Sequence, residues 1–345
     1  MQRISPKRIL TIAAAAVFTG LALWLSFRNI EWSEIGNAFA RANYAWVAAA
    51  VANSLIAVYF LGFRWRILLA PRAHLLMSTL FRLNITAQYA NILMPARVNE
   101  VVRAWLVTRE SGVAGGYAMG TVAVERIFDL VIFMALWVAS PAFFSGRTTA
   151  FPPAAAYVSG GLAIAGLLLF VLRPVAFLKS ARFAFQVLPS GLREKAGRFT
   201  ESALEAFAAL KNPKAMFAVA VWSLGLLVFQ ILTMWFLARA LRMDIPFGAA
   251  LFVLLMRQVS NLPPAAPGRI GIFEYSIIVA LSAFGIARTP ALSFAVMLHI
   301  VGQVPKIILG GVFVGLHGLP SDAFSDVAPG DQDRMPRDVR CRRRL

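Results

Sequence analysis

The chain has 345 residues, of which 59% are hydrophobic and 14% are charged, and its net charge is +18 at pH 7. A soluble globular domain carries about 25% charged residues, so this composition excludes a purely soluble protein. The basic residues flank apolar stretches and form no separate basic domain, which argues against nucleic acid as a partner. The only cysteine, Cys341, leaves no disulfide framework or cysteine-based metal site, and we expect no metal and no cofactor.

Six apolar blocks are long enough to cross a hydrocarbon layer, which is about 30 Å thick and takes about 20 helical residues. Strands are not expected, because lipid requires backbone groups to be satisfied within each segment. The first block follows Arg3, Lys7 and Arg8 and lacks a small-residue cleavage site, so we expect a retained span and not a signal peptide. The sequence predicts an all-α, polytopic membrane helical bundle with full spans at 9–27, 44–63, 117–140, 154–172, 214–237 and 291–316.

The distribution of basic residues predicts the orientation of the chain. With the N-terminus inside, the cytoplasmic segments hold 21 Lys and Arg, and the outer loops hold 6. This bias predicts a bacterial inner-membrane protein with both termini in the cytoplasm. We expect one membrane domain over 1–319 and a disordered, basic cytoplasmic tail over 320–345. Residues 174–213 form a cytoplasmic amphipathic segment that either lies on the inner leaflet or packs on the bundle as a connector.

Two further regions are broken by prolines, at Pro95 in the first and at Pro263-Pro264 and Pro267 in the second. Their pieces are too short or too polar to cross alone, so each region is predicted to form a re-entrant helical hairpin. The first hairpin would enter from the cytoplasm and the second from outside, which is the layout of an inverted repeat around a substrate site. Two proline-broken helices packed for structure alone are the alternative. The pieces are 77–94 and 98–108 in the first region, and 247–262 and 270–285 in the second.

Seven basic and four acidic residues fall at predicted bilayer depth, a surplus of three positive charges. An ionisable group at that depth needs a partner, a wet cavity or a ligand. The surplus indicates an anionic ligand such as a lipid phosphate, which arginine binds in a forked geometry. The basic residues are Arg82, Arg97, Arg103, Arg126, Arg257, Arg269 and Lys306, and the acidic ones are Glu100, Glu125, Asp129 and Glu274.

Helical spacing divides these residues into two predicted groups. Asp129 follows Glu125 by four residues and Arg126 by three, a spacing that favours a structural ion-pair cluster. On the last span, His299, Gln303 and Lys306 follow at i, i+4 and i+7 and form a polar stripe. The predicted headgroup ligands are Asn91, Arg97, Arg103, Arg257 and Arg269. The predicted structural or gating network comprises Glu100, Glu125, Arg126, Asp129, Glu274, His299, Gln303 and Lys306.

Three runs resemble the flippase-like membrane region of the lysylphosphatidylglycerol synthases. NILMPARVNEVVR, at 91–103, resembles N-x-x-x-P-G-R-x-G-E-x-x-R; VERIFD, at 124–129, resembles v-E-R-x-x-D; and PGRIGIFE, at 267–274, is similar to P-G-G-I-G-x-x-E. The resemblance implies a helical lipid translocator with two re-entrant elements. HIVGQVP, at 299–305, looks like a hopanoid-associated branch, which implies a polycyclic triterpenoid cargo. Ala96, Asn99 and Arg269 stand where the family patterns have glycines.

The leading functional prediction is a flippase or transporter that moves an anionic or modified lipid between leaflets, and not an enzyme. Its expected partners are membrane lipids, and a lipid-modifying enzyme is a candidate partner; no feature of the sequence defines an oligomeric state. No Gly-x-x-x-x-Gly-Lys-Ser/Thr motif occurs, so ATP is not the expected driver. The alternatives are a membrane-embedded, lipid-linked glycosyl or acyl transferase, and an accessory subunit of a lipid-modifying enzyme. The transferase alternative is weakened by short outer loops, in which Asp244 is the only acid outside 28–43.

Overall fold

The structure is a computed structural model that describes residues 19–28, 30–94, 98–144, 157–158, 160–161, 165, 190–207, 212–261 and 267–317. All regular elements among these residues are helical, and no strand is found there. The helices are α1 Trp32–Ala40, α2 Tyr44–Leu69, α3 Met77–Leu93, α4 Asn99–Ser111, α5 Gly115–Phe144, α6 Ser190–Phe207, α7 Pro213–Ala240, α8 Phe247–Val259, α9 Ile272–Ser282 and α10 Arg288–His317, with a 3-10 turn at Pro267–Arg269.

The predicted all-helical membrane fold is confirmed. Three of the described helices, α2, α7 and α10, are long and apolar enough to cross a membrane. Helix α5 has 30 residues, which is about 45 Å, but it carries three charged residues in its first half. The predicted spans 9–27 and 154–172 lie mostly outside the described residues, although 19–27 is helical. The tail at 320–345 lies outside them entirely.

Polar side chains mark where several of these helices begin and end. Asn43 precedes α2, and its side chain accepts a hydrogen bond from Ala45 N at 3.1 Å. Asn212 does the same for α7, which opens with Pro213 in the first turn. Such capping satisfies amide groups that have no partner within the helix. Helix α4 ends at Gly112, whose φ of 71° suits glycine.

The order long, short, short, long occurs twice along the chain. In the first half α2, α3, α4 and α5 have 26, 17, 13 and 30 residues. In the second half α7, α8, α9 and α10 have 28, 13, 11 and 30 residues. The two short helices of each half pack against each other, so both predicted hairpins are present as helix pairs. Their re-entrant course and inverted orientation relative to the membrane stay predictions.

The two halves are joined through their long helices. Helix α2 packs along α7, where the Asn53 amide donates to Phe229 O and to Thr233 Oγ1, both at 2.7 Å. The largest buried cluster lies in the second half, between α8, α9 and α10, and includes Phe252, Ile277 and Phe294. The second hairpin is therefore held in a packed apolar environment.

Helix α6, which lies in the predicted segment 174–213, packs directly on α5, while residues 174–189 and 208–211 lie outside the described residues. Gly116 and Gly120 of α5 allow this approach, because a Cβ at either position would lie 2.3–2.4 Å from a backbone oxygen of α6. Small residues four apart are a common means of close helix packing in membranes. On the facing side, Thr200 and Ala206 of α6 are buried.

This packing predicts opposite effects for one substitution at two helical glycines. Gly120→Ala places a methyl group against Ala203 O and should lower the free energy of unfolding by about 1–3 kcal/mol. Gly225→Ala, in α7, meets nothing within 4 Å and should raise it by about 0.5–1 kcal/mol through helix propensity. Thermal unfolding in detergent measures both; equal shifts of the two variants would contradict the close α5–α6 contact.

Candidate functional site

The second hairpin reaches the first hairpin through its tip. The 3-10 turn Pro267–Arg269, which precedes α9, contacts helix α3. Helix α3 also packs on α10, where Gly310 lies against the ring of Tyr89 and Phe81 meets Phe313 with ring centroids 6.3 Å apart. The two hairpins and the last long helix therefore border one region.

The polar stripe of α10 faces this region. At 100° per residue, His299, Gln303 and Lys306 lie within about 60° of one another and on the same side as Gly310. Because Gly310 packs on α3, the stripe runs along the α3-facing side of α10. Its first residue, His299, contacts Glu274 of the second hairpin, so the stripe extends from one hairpin to the other.

Three cations lie on three elements that border this region: Arg257 of α8, Arg269 of the tip and Lys306 of α10. Arg257 lies within electrostatic range of both Arg269 and Lys306. Its guanidinium donates to Gln230 Oε1 of α7, a neutral acceptor. Within the described residues, neither Arg257 nor Lys306 has an ion pair with an acidic group.

The tip that carries Arg269 has an unusual backbone. Arg269 has φ of 56°, between Gly268 at 69° and Gly271 at 90°. A left-handed conformation costs a residue with a Cβ about 1–2 kcal/mol, which is why glycine is favoured there. The glycine-rich family pattern thus fits the backbone of this turn, and this chain holds an arginine in it against that cost.

Glu274 joins the tip to the last helix. Its carboxylate accepts the Gly271 N–H at 2.6 Å and lies 2.5 Å from His299 Nδ1. The Phe273 ring covers the imidazole with centroids 4.6 Å apart. On the other side, the Ser26 hydroxyl donates to Gly271 O at 3.2 Å. These contacts hold the turn on which Arg269 is mounted.

In the described part of the first half, a group of charges around Glu125 compensate one another. Glu125 is fully buried and accepts from Arg64 Nε at 3.2 Å and Arg103 Nη1 at 2.8 Å. Arg64 also pairs with Asp129 at 2.5 Å and donates to Ser223 of α7 at 3.0 Å. Arg126 completes the group, which we call the ion-pair cluster: it lies 3.2 Å from Asp129 and 3.1 Å from Glu100. Its three cations face three acids.

Arg103 was predicted to bind a headgroup, and the structure gives it a different surrounding. It is fully buried, pairs with Glu125, and its guanidinium lies 4.1 Å above the Trp65 ring. Asn91, also predicted as a ligand, accepts a hydrogen bond from Asn99 N at 3.4 Å and so links α3 to α4. Both are engaged within the first half. Arg97 lies outside the described residues.

Arg64 was missed by sequence reasoning, which ended the span at residue 63 and placed this arginine in a cytoplasmic flank. Helix α2 continues to Leu69, and Arg64 is only 1% exposed. Two carboxylates neutralise it, so the helix can bury the charge. Asn53 and Arg64 are 11 residues, or three helical turns, apart on one face, a spacing that could have indicated a buried polar side. Arg82, counted at depth, pairs with Glu110 at 2.9 Å.

Comparison with known proteins places this geometry in a family. The family described as lysylphosphatidylglycerol synthase TM region matches residues 11–310. The protein named glycosyltransferase AglD of Haloferax volcanii is 26% identical over 349 residues, covering 88% of this chain and 54% of the relative. The UPF0104 membrane protein MJ1078 of Methanocaldococcus jannaschii is 25% identical over 235 residues, covering 65% of this chain and 92% of the relative. The chain thus spans about half the length of the first relative.

The prediction that the chain is not an enzyme is contradicted by the first relative, which is named a glycosyltransferase. That prediction relied on the scarcity of acids in the outer loops. It gave little weight to acidic and histidine groups inside the bundle, where Glu274 and His299 lie 2.5 Å apart. Neither relative's name refers to hopanoids, and the hopanoid branch stays a prediction.

The ion-pair cluster predicts a large stability loss on removal of its central acid. Glu125→Ala leaves Arg64 and Arg103 buried without their shared carboxylate and should cost about 3–5 kcal/mol. The control is Glu205→Ala, which breaks a 2.8 Å pair with Arg72 between two half-exposed side chains and should cost under about 1 kcal/mol. Unfolding is followed by thermal melting in detergent. If both variants melted alike, Glu125 would not be the centre of a buried network.

Proposed function

Because the chain belongs to the lysylphosphatidylglycerol synthase TM region family, we propose that it holds the anionic headgroup of a membrane lipid between its two hairpins and moves it between leaflets. The family is one of membrane proteins with a lipid-related role. The supporting observation is the group of cations formed by Arg257, Arg269 and Lys306, two of which have no acidic partner in the described part of the chain.

The energetic case starts from the cost of charge at bilayer depth. A cation there is stabilised by a carboxylate, by water or by a ligand. In the ion-pair cluster each cation has a carboxylate. Among the described residues, Arg257 donates to the amide of Gln230, and neither Arg257 nor Lys306 has a carboxylate partner. A phosphate group would neutralise this site and accept several of its N–H donors at once.

The paired hairpins supply a route for movement. Interrupted helices in corresponding positions of two halves are typical of transporters whose substrate binds where the halves meet. Here the tip of the second hairpin contacts α3 of the first, and Arg269 is mounted on that tip. Opening one hairpin at a time would expose the bound headgroup to one leaflet and then the other. With the basic flanks in the cytoplasm, the first hairpin would open inward.

Neutralising the cations should abolish lipid movement without unfolding the protein. Arg257→Gln and Lys306→Gln should each reduce transbilayer movement of a fluorescent phosphatidylglycerol in liposomes at least tenfold, since a hydrogen bond to a charged group contributes about 1.5–3 kcal/mol. The control is Arg239→Gln, an exposed arginine of α7 that lies over the Trp235 ring. Movement at the wild-type rate in both site variants, with normal melting, would remove these cations from the function.

Arg269 provides a test in which stability and function separate. Arg269→Gly removes the left-handed strain and should leave the free energy of unfolding unchanged or raise it by up to about 1 kcal/mol, while lipid movement falls. Arg242→Gly is the matched control, because Arg242 has nearly the same φ, 54°, and follows α7 away from the tip. It should gain stability and keep full activity. Unimpaired lipid movement in Arg269→Gly would show that the arginine serves no ligand.

A second candidate is glycosyl transfer to or from a lipid-linked substrate, which the name of the first relative favours. In that case the cations would hold the lipid phosphate, and the partly buried Glu274–His299 pair would be the acid or base. The test incubates the purified chain with a polyprenyl phosphate and nucleotide sugars and follows the product by mass spectrometry. Turnover that is lost in His299→Ala and kept in Arg239→Gln would support transfer; no product under any condition would exclude it for the chain alone.

An accessory role beside a lipid-modifying enzyme remains the third proposal. It predicts that neither movement nor transfer occurs until the partner enzyme is added to the same liposomes.

A further inference from the structure

The net charge of the cationic site, formed by Arg257, Arg269 and Lys306, bears on which class of lipid headgroup it would bind. This inference rests on the proposed function. The ion-pair cluster balances its own charge, so it leaves none for a ligand. Arg257 and Lys306 bring two positive charges for which no acidic partner is found among the described residues. Arg269 adds to the positive potential, since it lies within electrostatic range of Arg257.

The N–H donors of the cationic site also outnumber the non-bridging oxygens of a phosphodiester headgroup. A guanidinium has five N–H donors, and Arg257 uses one on Gln230, while Lys306 has three. These donors come from α8 and α10, and Arg269 lies on the tip, so three separate elements supply them. A phosphodiester offers two non-bridging oxygens and one negative charge. A phosphomonoester offers three such oxygens and, above its second ionisation near pH 6, about two charges.

We propose that the site selects a lipid whose headgroup ends in a phosphomonoester or diphosphate, carrying two or more negative charges, over a lipid with a single phosphodiester. A monoanionic headgroup would leave one of the two cations uncompensated at depth, where an unbalanced charge is costly. A dianionic headgroup neutralises both Arg257 and Lys306, and the fork of Arg257 can engage two oxygens of the same phosphate.

The experiment compares two lipids with identical acyl chains: phosphatidic acid, a phosphomonoester, and phosphatidylglycerol, a phosphodiester. Binding of each to the full chain in detergent is measured at pH 8 by native mass spectrometry and by displacement of a fluorescent lipid. We expect wild type to bind phosphatidic acid at least about tenfold more tightly, as one additional charged hydrogen bond would give. In Lys306→Gln the preference should fall to threefold or less, because only one unpaired cation remains.

The outcomes separate this inference from the proposed function. Equal affinity for the two lipids, with both lost in Arg257→Gln, would overturn the preference for a dianion and keep anionic lipid binding. Binding of neither lipid by a wild-type protein that melts normally would overturn the proposed function as well. Inorganic phosphate or pyrophosphate is added as a competitor: no displacement at millimolar concentration supports a lipid ligand, and complete displacement would overturn it. Arg239→Gln should keep the wild-type ratio of affinities for the two lipids. Loss of that preference in Arg239→Gln would show that it does not originate in the cationic site.

Discussion

Charge buried in hydrocarbon must be neutralised, and this constraint organises the whole chain. Glu125 is the central carboxylate of the ion-pair cluster. It accepts hydrogen bonds from Arg64 of α2 and Arg103 of the first hairpin. Through this carboxylate a long helix, a hairpin and α5 are tied together, and Ser223 adds α7. Without it, Arg103 would be buried with no carboxylate partner among the described residues, and Arg64 would keep only Asp129. The ion-pair cluster therefore uses its charges for the cohesion of the first half.

The second half uses a different arrangement. Glu274, its acid at predicted bilayer depth, accepts the Gly271 N–H and contacts His299, and so fixes the tip on the last helix. Among the described residues, Arg257 donates to the neutral amide of Gln230, and neither Arg257 nor Lys306 has an acidic partner. In the proposed function, an external anion neutralises them. In the proposed function, the described part of the first hairpin serves cohesion and the second hairpin supplies ligand contacts.

Apolar periodicity was sufficient to predict the long helices, because a span such as α7 is almost continuously hydrophobic. Charge pairing was not predictable in the same way. Arg64 follows a span and precedes Arg66, so its sequence resembles a cytoplasmic flank, and only the approach of Glu125 and Asp129 makes its burial possible. Arg103 was predicted to be a ligand because its pairing with Glu125, 22 residues away, was not evident from the sequence. By contrast, Gly116 and Gly120 carry a local signal for the α6 contact.

The central claim is that Arg257 and Lys306 are neutralised by a bound lipid phosphate, and the most direct measurement is the lipid content of the purified protein. Wild type and an Arg257→Gln/Lys306→Gln double variant are extracted from the same membranes under mild conditions, and their retained lipids are identified by mass spectrometry. We predict that wild type retains a phosphate-bearing lipid enriched above its share of the membrane, and that the double variant loses it. The same lipid profile in both proteins would contradict the account.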